Sequence, residues 1–73
     1  MTQEKVDKLL EFTRELEEKV VVVTKTQLRV FVDFSDEEYK DTHVFNNHLY
    51  VWNTNFNHWN LVSLEDIEFI EFH

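Results

Sequence analysis

Flat aromatic rings set among neutral hydrogen-bonding groups crowd one stretch of this 73-residue chain. Residues His43 to Asn60 hold Phe45, Tyr50, Trp52, Phe56 and Trp59 among six Asn and three His, with no Asp, Glu, Lys or Arg. Such a mixture suits a sugar ring, a nucleobase or another protein's surface, because it offers flat apolar area beside neutral donors and acceptors. Register decides whether that area is usable. With a two- or four-residue loop after Asn53, Tyr50, Trp52, Trp59 and Leu61 share one face of a strand pair, and Leu49, Val51, His58 and Asn60 the other. A three-residue loop would instead gather His48, Tyr50, Trp52 and His58. The even loops are preferred, because they set Trp52 beside Trp59 as a cross-strand aromatic pair. In that register the Leu49–Asn53 strand is apolar on both faces, the pattern of a central strand with one side inside and the other beneath a helix. The competing reading is a binding face made by Tyr50, Trp52 and Trp59, residue types enriched at interface hot spots.

Carboxylates form the second concentration. Asp7, Glu11, Glu15 and Glu18 recur at helical spacing, Asp36, Glu37, Glu38 and Asp41 crowd one loop, and Glu65, Asp66, Glu68 and Glu71 flank the last segment. The plain account is a solvated acidic surface that keeps a small protein soluble. The sharper one is mimicry of a phosphate row, since alternate residues on a strand lie ~6.5 Å apart. On that alternative the acidic surface, Asp36, Glu37, Glu38, Asp41, Glu65, Asp66 and Glu68, would occupy a basic groove and inhibit a nucleic-acid-binding protein.

Catalytic chemistry finds little footing. The only serines, Ser35 and Ser63, stand where a helix or turn would use their side chains as caps. With no Gly there is no glycine-rich phosphate loop, and with no Cys there is neither a thiol nucleophile nor a disulfide. His43, His48, His58 and His73 lack any zinc-binding spacing, so no metal and no cofactor is expected. Seven Lys and Arg against fifteen Asp and Glu give a net charge of −8, which disfavours direct nucleic-acid or anionic-membrane binding. Met1–Lys5 has no apolar h-region, and the longest apolar run is Val20–Val23, so neither a signal peptide nor a spanning segment is expected and a cytoplasmic location is the default. Gly, Ala and Pro are all missing. Their codons are GC-rich, which points to an AT-rich bacterial, phage or plasmid source.

The elements that position these residues follow from periodicity. Thr2 can cap a helix over residues 3–18, with Val6, Leu9, Leu10, Thr13, Leu16 and Val20 along one apolar stripe. Phe12 falls off it. Strands are expected over residues 20–24, 28–34, 43–46, 48–53, 57–62 and 67–72, and Asn46-Asn47 makes a turn because Asn tolerates positive φ. Ser35 with Glu38 matches a capping box for a single helical turn. The reading is one α+β domain, an N-terminal helix on a strongly bent, mostly antiparallel sheet of about five short strands, or a small partly open β-barrel. Helix first, then short strands, is an order similar to that of Sm-like small β-barrels. That likeness is topological, no nucleotide-contacting loop accompanies it, and it assigns no family.

A chain this short buries only ~60% of its unfolded surface, and no crosslink compensates. Phe12, Phe31, Phe69 and Phe72 have no intramolecular home in this scheme. Ile67–Phe72, apolar on both faces, could pair as an edge in a homodimer. The expected function is a small acidic, non-catalytic protein-interaction module. The alternatives are the nucleic-acid mimic and a ligand-binding domain on the aromatic and Asn face.

Overall fold

The computed structural model describes residues 1–53 and 55–73. Helix α1 runs Gln3–Glu15, and the Thr2 hydroxyl caps it by accepting the Lys5 N–H. Val6, Leu10 and Thr13 form its buried face. The helix stops three residues short of the expected end at 18, and Leu16 is exposed. The cause is local. Glu17 takes φ 52°, its N–H donates to the Arg14 carbonyl, and the Glu18 N–H reaches back to the Thr13 carbonyl, each at 3.2 Å. This pair of bonds is a Schellman end, which normally places Gly at the left-handed position. Glu17→Gly removes the Cβ strain and raises stability by about 0.5–1 kcal/mol, net of glycine's larger unfolded-state entropy. A melting curve should rise by roughly 2–8 °C. A lower Tm would contradict the assignment.

Strands β1 (Lys19–Thr24), β2 (Arg29–Asp33), β3 (His43–Phe45), β4 (His48–Asn53), β5 (His58–Ser63) and β6 (Ile67–Phe72) follow, with single 3₁₀ turns η1 (Glu37–Tyr39) and η2 (Leu64–Asp66). The class is α+β, with one helix packed on two antiparallel three-stranded sheets, β2-β1-β6 and β3-β4-β5. A single bent sheet does not form, and the barrel is not closed. Both crossings between sheets run through a 3₁₀ turn, η1 after β2 and η2 after β5, which interrupts the extended backbone. Between the sheets a cleft of about 450 Å³ opens, walled by Val30, Phe31 and Tyr39 on one side and Val51, Asn60 and Leu61 on the other.

The core lies where helix and both sheets meet. Val6 and Leu10 pack with Val20, Val22, Val32 and Ile67 of the first sheet, and with Leu49, Val51, Val62 and Leu64 around the second. Each such side chain contributes ~1.5–3 kcal/mol by leaving water. Arg14 fastens the helix laterally, donating to the Thr42 carbonyl while its guanidinium lies 5.0 Å from the Phe34 ring centroid. Gln3 fastens its start, accepting the Asn47 N–H at 2.9 Å.

The run Val20–Val23 is buried on both faces. Val21 and Val23 point away from the core and are flanked by Phe31 and Arg29 on β2 and by Glu71 and Phe69 on β6. Arg29 reaches across the middle strand to Glu71, Nη2 to Oε2 at 2.7 Å. The Arg29 guanidinium, and after it the His73 ring, hold the Glu71 carboxyl below the ordinary glutamate range. A lowered folded pKa means stability present above the unfolded value and lost as pH falls through the folded one. The Tm advantage of wild type over Glu71→Gln should therefore be complete above about pH 5 and close below about pH 4. A constant gap across that range would contradict the pairing.

Candidate docking face

Turn chemistry sets the register of the second sheet. Asn46 and Asn47 take φ 49° and 62°, and Phe45 faces His48 across them. Two consecutive left-handed residues make the two-residue hairpin turn whose twist suits the flanking strands. After β4, the Asn53 side chain accepts the Asn55 and Phe56 N–H groups, and Asn57 takes φ 55°. The loop after Asn53, expected to have two or four residues, includes Thr54, which lies outside the described residues. Its outcome is visible in the strands: Asn53 faces His58 and Trp52 faces Trp59.

That register gives β4 two unlike faces. Leu49 and Val51 enter the core, while Tyr50 and Trp52 turn outward with Trp59 and Leu61 of β5. The helix does not cover the outward side. It packs along β3, so the expectation of a strand buried on both sides gives way to a face open to solvent. Tyr50 and Trp52 are half-buried by their neighbours, and Trp59 is 38% exposed, Leu61 53% and Phe45 64%.

The rings order one another. Trp52 and Trp59 meet edge to face, with centroids 5.3 Å apart and planes at 74°. Tyr50 lies edge-on to Trp59 at 6.3 Å, and His43 stacks on Tyr50 at 5.0 Å while meeting Trp59 edge-on at 5.5 Å. His43 is itself oriented, since its Nδ1–H donates to the Asp41 carbonyl at 2.6 Å. Aromatic pairs in such offset or edge geometry add about 0.5–1.5 kcal/mol beyond area burial. The face is therefore prearranged. Little side-chain entropy is left to lose on contact.

The acidic residues divide. Glu37, Glu38 and Asp41, from η1 and the loop after it, stand beside Trp52 and Trp59 around a recess of about 400 Å³. Sequence spacing does not reveal this meeting, which depends on η1 folding back onto β4. Asp36 is exposed, but its carboxylate caps η1 by accepting the Glu38 N–H at 3.0 Å. The expected Ser35 cap does not form: the Ser35 hydroxyl donates to Asp33 Oδ1 at 2.6 Å. Ser63 precedes η2 without a side-chain cap bond. Glu65 and Asp66 lie on η2 and Glu68 at the irregular start of β6, all exposed. The helical stripe of acids is exposed too, and Glu18 falls beyond the helix.

The histidines scatter. His43 and His48 border the β3–β4 hairpin, His58 stacks with Phe56, and His73 sits by Glu71. Among the described residues no three His, Asp or Glu side chains gather as a metal site. No helix among them is long and apolar enough to cross a membrane. Compared with protein-family models, curated proteins and solved structures, the chain matches none.

Proposed function

We propose that this chain is a small acidic, non-catalytic protein-interaction module that docks a protein partner through the outer face of β3-β4-β5. The observation that supports this is the uncovered aromatic face itself. Tyr50, Trp52, Trp59 and Leu61 are held in one register, the three rings meet edge to face around Trp59, and helix α1 leaves them uncovered. Monomeric proteins rarely leave a contiguous apolar patch of this kind without a partner for it. Tryptophan and tyrosine at the centre of such a patch are the residue types that carry most binding energy. Composition alone supports a cytoplasmic protein of bacterial or phage origin.

A homodimer is a second part of the proposal, on the other sheet. The His73 N–H donates to the Lys19 carbonyl at 2.9 Å, which fixes the alternation along β6. Phe69 and Glu71 bond β1, so Ile70 and Phe72 turn their backbone groups toward the free edge. Phe31 and Phe69 stand exposed on the same sheet's outer face. Light scattering at rising concentration reads this directly; a monomer at high micromolar concentration removes the dimer and leaves the docking face untouched.

The docking face is tested by affinity capture from the native host, followed by oxidative footprinting of the complex. Protection of Tyr50, Trp52, Trp59 and Leu61 supports the reading. Protection confined to Glu65, Asp66 and Glu68 by a basic nucleic-acid-binding protein would replace it with the mimic.

A further inference from the structure

Resting on that docking face, we propose that the recess between Trp52, Trp59 and the η1 acids receives a cationic side chain, a lysine or arginine, projecting from the partner. The recess is lined by five residues: Glu37, Glu38, Asp41, Trp52 and Trp59. Two are indoles and three are carboxylates, and each group excludes a class of occupant.

An aliphatic or neutral aromatic side chain would contact the indoles but gain nothing from the charge of the exposed η1 carboxylates beside them, and would displace some of their water without replacing its hydrogen bonds. A phosphate or a carboxylate would meet three like charges. A sugar would stack on the ring faces and donate its hydroxyls to the carboxylates, but would leave their charge unneutralised. A cation uses both walls. Indole is the best aromatic partner for an ammonium or guanidinium group within ~6 Å of its ring, and the carboxylates accept the N–H donors. The right-angle setting of the two indoles makes a corner, so an aliphatic stem can lie on one ring while its charged tip reaches η1. A volume of about 400 Å³ is ample for one such side chain.

Lys40 already shows the pull of this acidic edge. Its Nζ lies 3.4 Å from Glu37 Oε1 in a pair that is solvent-exposed on both sides. Exposed pairs of that kind hold weakly and exchange readily. Glu38 and Asp41 make no ion pair among the described residues.

The test titrates the full chain with short blocked peptides carrying one arginine, one lysine, one trimethyl-lysine, or one citrulline as the neutral isostere of arginine. Indole N–H resonances and tryptophan emission report occupancy. The recess should bind the cationic peptides about tenfold more tightly than citrulline. The preference should vanish in Glu37→Gln/Glu38→Gln/Asp41→Asn, a variant changed only at exposed positions and checked for retained chemical-shift dispersion. Equal binding of citrulline, or an undiminished preference in the triple variant, overturns the proposal. So does the absence of any indole shift with all four peptides. A partner footprint on Tyr50 and Leu61 without cation entry overturns the recess alone. Cation entry without a partner footprint overturns the docking face alone.

Discussion

Leu49→Ala should lower the unfolding free energy by about 3 kcal/mol, within the range for leucines cut from closed cores. Leu49 is 0% exposed on β4, the central strand of its sheet, between Val44 on β3 and Val62 on β5. Its side chain packs in the cluster that joins the helix to both sheets, so no single element can collapse into the space. At ~0.05–0.15 kcal/mol per residue, a chain of this size has only about 4–11 kcal/mol in total. The substitution removes a large share of that margin, and the Tm should fall by roughly 12–24 °C. Phe56→Ala is the control, because Phe56 is 72% exposed and its ring stacks on His58 at the surface. Its Tm should stay within a few degrees of wild type. Similar Tm values for the two variants would contradict the assignment of β4's inner face.

Trp59→Ala should weaken the captured partner's binding by about 2 kcal/mol or more, roughly 30-fold in Kd. Trp59 meets three rings of the docking face: Trp52 at 5.3 Å, His43 at 5.5 Å and Tyr50 at 6.3 Å. Its loss removes contact area and also frees the rings that it holds in place. Some stability goes with it, at least about 1.5 kcal/mol for the three lost aromatic pairs. Trp59→Phe separates the two effects, since it keeps an aromatic ring in the sheet and should recover most of the affinity. Substituting Glu65, Asp66 and Glu68 by their amides should leave Kd within about twofold, because exposed charges outside an interface contribute little. Calorimetry on the purified complex reads all of these. The reverse pattern, with amides harmful and Trp59→Ala neutral, would favour phosphate mimicry.

Local signals in the sequence were sound where side-chain chemistry acts within a few residues. Asn46-Asn47 turns the hairpin because Asn accepts positive φ, and that turn with the Asn53 loop places Trp52 opposite Trp59. Thr2 caps the helix for an equally local reason. Helix length was illegible because Glu17, a residue with no special liking for left-handed backbone, takes the place usual for Gly. The facing of β4 was legible as a choice between two sides but not its outcome. Leu49 and Val51 are as apolar as Tyr50 and Trp52, and the docking of the helix along β3 leaves the aromatic side uncovered by the helix, with Tyr50 and Trp52 half-buried by neighbouring side chains. Whether six short strands make one bent sheet or two depends on the 3₁₀ turns that break the chain after β2 and β5. The meeting of Glu37, Glu38 and Asp41 with Trp52 and Trp59 is a tertiary event without periodicity.

Trp59 stands exposed and Trp52 half-buried beside a cluster of carboxylates. Quenching of tryptophan emission by caesium and by iodide, measured side by side at matched ionic strength, tests exposure and charge at once. Exposure predicts that the indoles are quenched, and the neighbouring carboxylates predict a caesium-to-iodide quenching ratio above that of free N-acetyltryptophanamide. Emission unaffected by either ion would mean shielded indoles, and a ratio equal to or below that of the free indole would mean that no acidic rim lies beside them.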